Sequence, residues 1–151
     1  MRRLLPLTAM LLAVPAAAQN REVPYWASLR AGEVNMRVGP SSDFPITWVY
    51  QRAHLPVKVV RVNQGWRLVE DPDGTRGWIV ARLLKPERTA LVIGKGAAEM
   101  RDGAGGGKLL WQAEPGVVGT LGDCSDGWCK LSVGDRAGWV KSERVWGAGD
   151  P

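Results

Sequence analysis

The side chains able to do chemistry are few and widely separated. Cys124 and Cys129 flank Ser125-Asp126-Gly127-Trp128, and the one histidine, His54, lies in the other half of the chain. A cysteine nucleophile needs a base positioned beside it, and here thiols and base belong to different halves. Tetrahedral zinc draws on four Cys, His or carboxylate ligands, and two cysteines with a remote histidine do not supply that set. Glu70 and Asp71 are adjacent carboxylates. Neighbours in a strand point to opposite faces, so the pair reads as hairpin polarity rather than acid–base machinery. No Gly-x-Ser-x-Gly, His-Glu-x-x-His or phosphate-binding glycine motif occurs. Gly103, Gly105, Gly106 and Gly107 precede no helix signal. The expectation is a chain with no catalytic residue, no metal and no cofactor, in which His54, just before Leu55-Pro56, is a surface or structural residue.

The redox context of the cysteines follows from the leader. Met1-Arg2-Arg3 is a short positive start, Leu4 to Val14 is apolar, Pro15 breaks the run, and Ala16-Ala17-Ala18 offers small residues to a signal peptidase. The apolar run falls short of the about 20 residues that a membrane span needs. Residues 1–18 are therefore expected to be a signal peptide cleaved between Ala18 and Gln19, which places the protein in the periplasm or outside the cell. In a reducing compartment Cys124 and Cys129 are two thiols. After export a disulfide across the intervening turn is expected.

The formal charge of +5 falls by two when Arg2 and Arg3 are removed, and the remaining charges are interspersed. That is a mixed solvated surface, not the basic stripe of a nucleic-acid binder.

Aromatics are the other notable side chains: eight Trp, two Tyr and one Phe among 151 residues. Several recur at a near-constant offset. Val34-Asn35-Met36-Arg37 is echoed by Ala98-Glu99-Met100-Arg101, Gly65-Trp66 by Gly127-Trp128, Gly77-Trp78-Ile79 by Gly138-Trp139-Val140, and Leu83-Leu84 by Val145-Trp146, all 61 to 64 residues apart. The chain is thus duplicated, with units at 27–84 and 89–146. Lys85-Pro86-Glu87-Arg88 alone joins them, and four residues reach at most roughly 14 Å, so the units are neighbours. Repetition of Trp66/Trp128 and Trp78/Trp139 at equivalent positions points to a core role, each large aromatic burying about 150–250 Å². Phe44, Trp48 and Tyr50 have no aromatic counterpart in the second unit other than Trp111.

The elements that position these residues are strands. Leu55, Val57 and Val59 alternate, then Val60 and Val62 continue on the other parity, a phase change that predicts a bulge. Asp71-Pro72-Asp73-Gly74-Thr75 is a strong turn. Trp66 and Trp78 each begin a further strand, and the second unit repeats the scheme through Ser125-Asp126-Gly127 and Gly134-Asp135. No later segment has capped 3.6-residue periodicity. Five short strands in each unit predict a small closed or half-closed barrel. Residues 19–26 and 147–151 are expected to be loose tails, with Tyr25 and Trp26 able to dock.

Val34-Asn35-Met36-Arg37 followed by Gly39-Pro40-Ser41, with the later Gly65-Trp66 and Gly77-Trp78-Ile79 steps, resembles the bacterial SH3-like domain family. Residues 27–84, with Phe44-Pro45-Ile46 and Tyr50 in the first long loop, are similar to exported SH3-like proteins of alphaproteobacteria. The resemblance implies an all-β chain of two tandem SH3-like barrels, with Met36 pointing into the first and Ser41 to Pro45 overhanging a peptide-binding face. It also implies binding of cell-wall peptides, glycans or partner proteins, and a targeting role where such domains are fused to cell-wall hydrolases. The second unit departs from the motif, with Glu99 in place of Asn35 and Gly103-Ala104-Gly105 in place of Gly39-Pro40-Ser41. A ligand site is therefore expected in the first unit, at Phe44, Trp48 and Tyr50, where aromatics beside Pro45 can line a peptide groove.

The expected function is a non-catalytic module that docks a peptide, a cell-wall fragment or a partner protein. The alternative is a structural component of an envelope complex, favoured by an apolar patch shared by both units. A hydrolase, or an accessory to one, is the remaining reading.

Overall fold

The computed structural model describes residues 21–151, so the expected leader and its cleavage point between Ala18 and Gln19 lie outside the described residues. Within them the protein is all-β, two short 3-10 turns aside. Among the described residues no helix is long and apolar enough to cross a membrane.

The first domain runs through β1 (Tyr25–Leu29), β2 (Val34–Arg37), β3 (Ile46–Tyr50), β4 (Pro56–Asn63), β5 (Trp66–Glu70), β6 (Arg76–Val80) and β7 (Leu84–Lys85). The second runs through β8 (Thr89–Val92), β9 (Ala98–Gly103), β10 (Gly106–Ala113), β11 (Val118–Ser125), β12 (Trp128–Val133), β13 (Arg136–Lys141) and β14 (Val145–Trp146). Strand order is β3-β2-β6-β5-β4-β1-β7 in one and β10-β9-β13-β12-β11-β8-β14 in the other, the same arrangement term by term. These are two tandem SH3-like domains, each with seven strands rather than five. The additional pairing comes from β1, which takes β4 on one side and the two-residue β7 on the other.

The alternating pattern sets which residues face inward. In β2, Val34 and Met36 are buried while Asn35 and Arg37 point outward. In β4 the phase change is a register irregularity between Val59 and Arg61 against β5. The first core gathers Leu29, Val34, Met36, Val57, Val59, Val69 and Ile79. The second gathers Ala90, Val92, Ala98, Met100, Leu131, Val140 and Val145. Burying each Val, Leu, Ile or Met contributes about 1.5–3 kcal/mol. Gly77 and Gly138 are needed for this packing. A Cβ on Gly77 would overlap the Met36 side chain, and one on Gly138 would sit 2.8 Å from Met100 Cβ.

Three of the four repeated tryptophans depart from the expected core role. Neither core cluster contains one; Trp78 is buried outside the first cluster, and Trp66, Trp128 and Trp139 are only partly buried. Aliphatic side chains fill an interior this small, and the indoles of Trp66, Trp128 and Trp139 stand around its rim.

At the ends, Tyr25 and Trp26 do dock, and they do so as part of a strand rather than of a loose tail. Tyr25 and Trp26 belong to β1, and Trp26 packs edge-on against Trp146 of the second domain with ring centroids 4.7 Å apart. Its indole N–H donates to the Gly149 carbonyl at 3.0 Å. Arg88 donates to the Gly147 carbonyl at 2.8 Å, and its guanidinium lies over the Trp26 ring. The connection between the domains is held on both sides. Ser28 Oγ donates to the Glu87 carbonyl, Thr89 Oγ1 to the His54 carbonyl, and the Leu121 N–H to the Arg88 carbonyl.

Candidate functional site

The long loop between β2 and β3 overhangs a groove on the first domain. The groove, about 260 Å³, is lined by Asn35, Arg37, Ser42, Trp66, Val80, Arg82 and Leu83. Its geometry follows from the strands. Asn35 and Arg37 occupy the outward positions of β2. Trp66 starts β5 opposite Val80, the last residue of β6. The chain then makes a 3-10 turn at Ala81–Leu83, and the Ala81 N–H donates to the Gly65 carbonyl at 2.8 Å. That bond holds Arg82 against the turn from which Trp66 emerges. The overhanging loop is braced by Arg37, which donates to the Phe44 carbonyl at 2.7 Å, while the Phe44 ring covers Gly39 so closely that a Cβ there would overlap it.

The second domain has a groove at the equivalent place, about 330 Å³, lined among others by Glu99, Gln112, Trp128, Lys141, Glu143 and Arg144. Each part corresponds. Trp128 stands where Trp66 does, Ser142 donates to the Gly127 carbonyl at 2.8 Å, and Arg101 donates to the Gly107 carbonyl at 2.7 Å. The walls differ in charge. Glu99 replaces Asn35, and Glu143, the middle residue of the Ser142–Arg144 turn, replaces Arg82. Arg144 is occupied by the Ile93, Lys95 and Gly96 carbonyls.

Phe44, Trp48 and Tyr50 do not converge. Phe44 and Trp48 are 43% and 57% exposed, whereas Tyr50 is 6% exposed and faces the core. The correction concerns Tyr50. It pairs with Val34 across β2–β3, on the inward parity, and its hydroxyl donates to Asp71 Oδ2 at 2.9 Å. Burial first, and the bond to Asp71 second, push the phenol well above its ordinary value of 10.0. Asp71 Oδ1 also accepts from the Asp73 and Thr75 N–H groups, so the pair locks the β5–β6 turn. None of the three aromatics lines the groove. The signal for Trp66 was present in the repeat itself: a tryptophan after a turn glycine at the same position in both units marks a shared rim as readily as a shared core.

Cys124 and Cys129 face each other across β11–β12 and form a disulfide. His54 lies at the junction of the domains, its Nδ1 2.7 Å from Lys85 Nζ. Lys85 pairs in turn with Glu87 and holds that carboxyl below the usual range. These groups satisfy one another. Among the described residues no three His, Cys, Asp or Glu side chains gather in a metal-binding cluster.

The Bacillus subtilis protein YrvJ, named as an N-acetylmuramoyl-L-alanine amidase, is 25% identical over 134 residues, covering 82% of this chain. The match takes in 26% of that relative, so the chain spans about a quarter of its length. Two solved structures from Trichomonas vaginalis, NlpC2 and NlpC1, superpose with a TM-score of 0.36 each at 11% and 13% identity. They cover 84% and 90% of this chain and 49% and 50% of theirs. The bacterial SH3 domain profile matches twice, over residues 30–86 and 94–147, and on that footing, with two sheets of identical strand order beneath it, the chain belongs to the bacterial SH3 domain family.

Proposed function

We propose that the protein is a non-catalytic binding module of the cell envelope that docks a peptide or cell-wall fragment in the Trp66 groove. The observation that carries this reading is the recurrence of one groove in two domains, with a tryptophan, a bracing arginine and a 3-10 turn at matching positions. A partly exposed indole in a concave, partly apolar site is a recurrent anchor for such ligands. The resemblance to an amidase over about a quarter of that relative's length supports a role beside cell-wall hydrolases. Export behind a leader cleaved between Ala18 and Gln19, with residence in the periplasm or outside, is part of the same proposal.

Trp66→Ala tests it. Trp66 lies outside the core cluster, so the variant keeps the native circular dichroism spectrum and its pull-down with purified cell wall drops at least tenfold. Unchanged pull-down by a folded variant defeats the reading.

An assembly role is favoured by a different observation. The edge strands β3 and β10 both carry exposed apolar residues: Ile46, Trp48 and Val49 on one, Leu109 and Leu110 on the other. With Phe44 beside it, the β3 face is a candidate protein contact. Trp48→Ser, at an exposed residue outside the groove, removes crosslinking to an envelope protein under this reading, and leaves cell-wall pull-down unchanged.

A further inference from the structure

The two grooves share a shape and differ in charge, and the difference singles out a ligand chemistry. In the first domain Arg37 and Arg82 are the charged groups lining the groove, with no carboxylate among its lining residues. Arg37 spends one guanidinium nitrogen on the Phe44 carbonyl. Arg82 is exposed, and among the described residues its guanidinium makes no ion pair and no side-chain hydrogen bond. In the second domain the position of Arg82 holds Glu143, which has no ion-pair partner among the described residues, and Glu99, paired with Arg101, stands in place of Asn35. Lys141 and Arg144 also line that groove, Arg144 being held by backbone carbonyls. The groove of the first domain is also small, below the roughly 300–1,000 Å³ of sites that enclose a whole drug-sized ligand. It suits the end of a chain better than its middle.

Resting on the Trp66 groove as the binding site, we propose that the first domain captures the free C-terminal carboxylate of a short peptide, with Arg82 as its ion-pairing residue and Trp66 as the apolar wall. The second groove puts the unpaired carboxylate of Glu143 where Arg82 stands, and so lacks the ion-pairing residue and repels the same ligand at that point. The duplicated chain therefore holds one carboxylate site, not two. An arginine that already stands free beside an apolar wall loses little on pairing, and its planar fork matches a carboxylate in two parallel hydrogen bonds. A charged hydrogen bond of this kind is worth about ten- to hundredfold in affinity.

The test titrates the protein from Gln19 to Pro151 with N-acetyl-trialanine and with the same peptide as its C-terminal amide, following the indole N–H resonances by NMR. The expected result is that the acid shifts the Trp66 resonance and not that of Trp128, binds one per chain, and binds at least about tenfold tighter than the amide. Arg82→Gln brings the acid down to the affinity of the amide; Arg82 is exposed, so the variant stays folded. Equal affinities for acid and amide, both shifting Trp66, overturn the carboxylate inference and leave the groove standing. An equal response of Trp128 overturns the single-site assignment. A Trp66 resonance that neither peptide moves overturns this inference, and loss of wall binding in Trp66→Ala then decides the groove reading separately.

Discussion

The β4–β5 hairpin of the first domain and the β11–β12 hairpin of the second are the same element closed by different chemistry. In the second, Cys124 and Cys129 are register partners and are joined covalently. In the first, the same two places hold Val62 and Arg67. There Arg67 donates to the Gln64 carbonyl at 2.7 Å and to the Tyr25 hydroxyl at 3.1 Å. The next turn differs too. The first domain locks it with the buried Tyr50–Asp71 pair, whereas Ala113 stands opposite Ala98 where Tyr50 stands opposite Val34, and a short Gly134-Asp135 turn suffices. What the halves share is the aliphatic core, the close approach of a glycine to a methionine, and the tryptophan groove. The devices that close the perimeter are interchangeable because each has only to hold one turn, while the core has to fill a fixed volume.

The comparison can be broken first at the shared core. Met36→Ala and Met100→Ala each leave a cavity under a fully buried side chain and destabilise their own domain by about 2–5 kcal/mol. Hydrogen exchange read domain by domain should show similar losses in each; a loss confined to one half would mean that the cores are not equivalent.

A smaller and one-sided effect is expected at the disulfide. Cys124→Ser with Cys129→Ser lowers the stability of the second domain by about 2 kcal/mol, the chain-entropy value for so short a loop. Exchange in the first domain should not change. An equal fall in both would show that the domains unfold as one unit through the Trp26–Trp146 contact.

The smallest effect sharpens the other side. Tyr50→Phe removes one hydrogen bond to Asp71, which keeps its two backbone donors, and costs the first domain about 1 kcal/mol. Because the native phenol is raised above its ordinary value of 10.0, the neutral form is the one the fold favours. Its contribution is complete below pH 10 and fades as pH climbs through the folded value. The stability gap between the native protein and Tyr50→Phe should therefore be constant at neutral pH and shrink under strong alkali. A gap that widens there would reverse the assignment of the buried pair.

Much of this was legible in the chain before any coordinates. The near-constant offset between Gly65-Trp66 and Gly127-Trp128 announces a duplication, and strand alternation makes Met36 an inward residue. The break in parity after Val59 marks a bulge, and the five-residue spacing of the cysteines places them across one hairpin. These are local patterns, and a strand's period of two carries them without reference to the rest of the molecule. The candidate site was less legible. Phe44, Trp48 and Tyr50 cluster in sequence, and Trp48 and Tyr50 share a parity in β3, yet only Tyr50 is covered by the core; Trp48 is left exposed and Phe44 folds over Gly39 in the loop.

Other features required the packed chain. An equivalent position in a repeat says that two residues do the same thing, not whether they do it inside or at the rim. Trp66 and Trp128 are on the rim because the aliphatic side chains already fill the two small cores. Trp26 meets Trp146 and the Gly149 carbonyl across most of the chain's length, a contact with no local signature. Local periodicity dictates which face a side chain takes within its strand; only closure of the sheets, which sets how much volume remains inside, decides what that face meets.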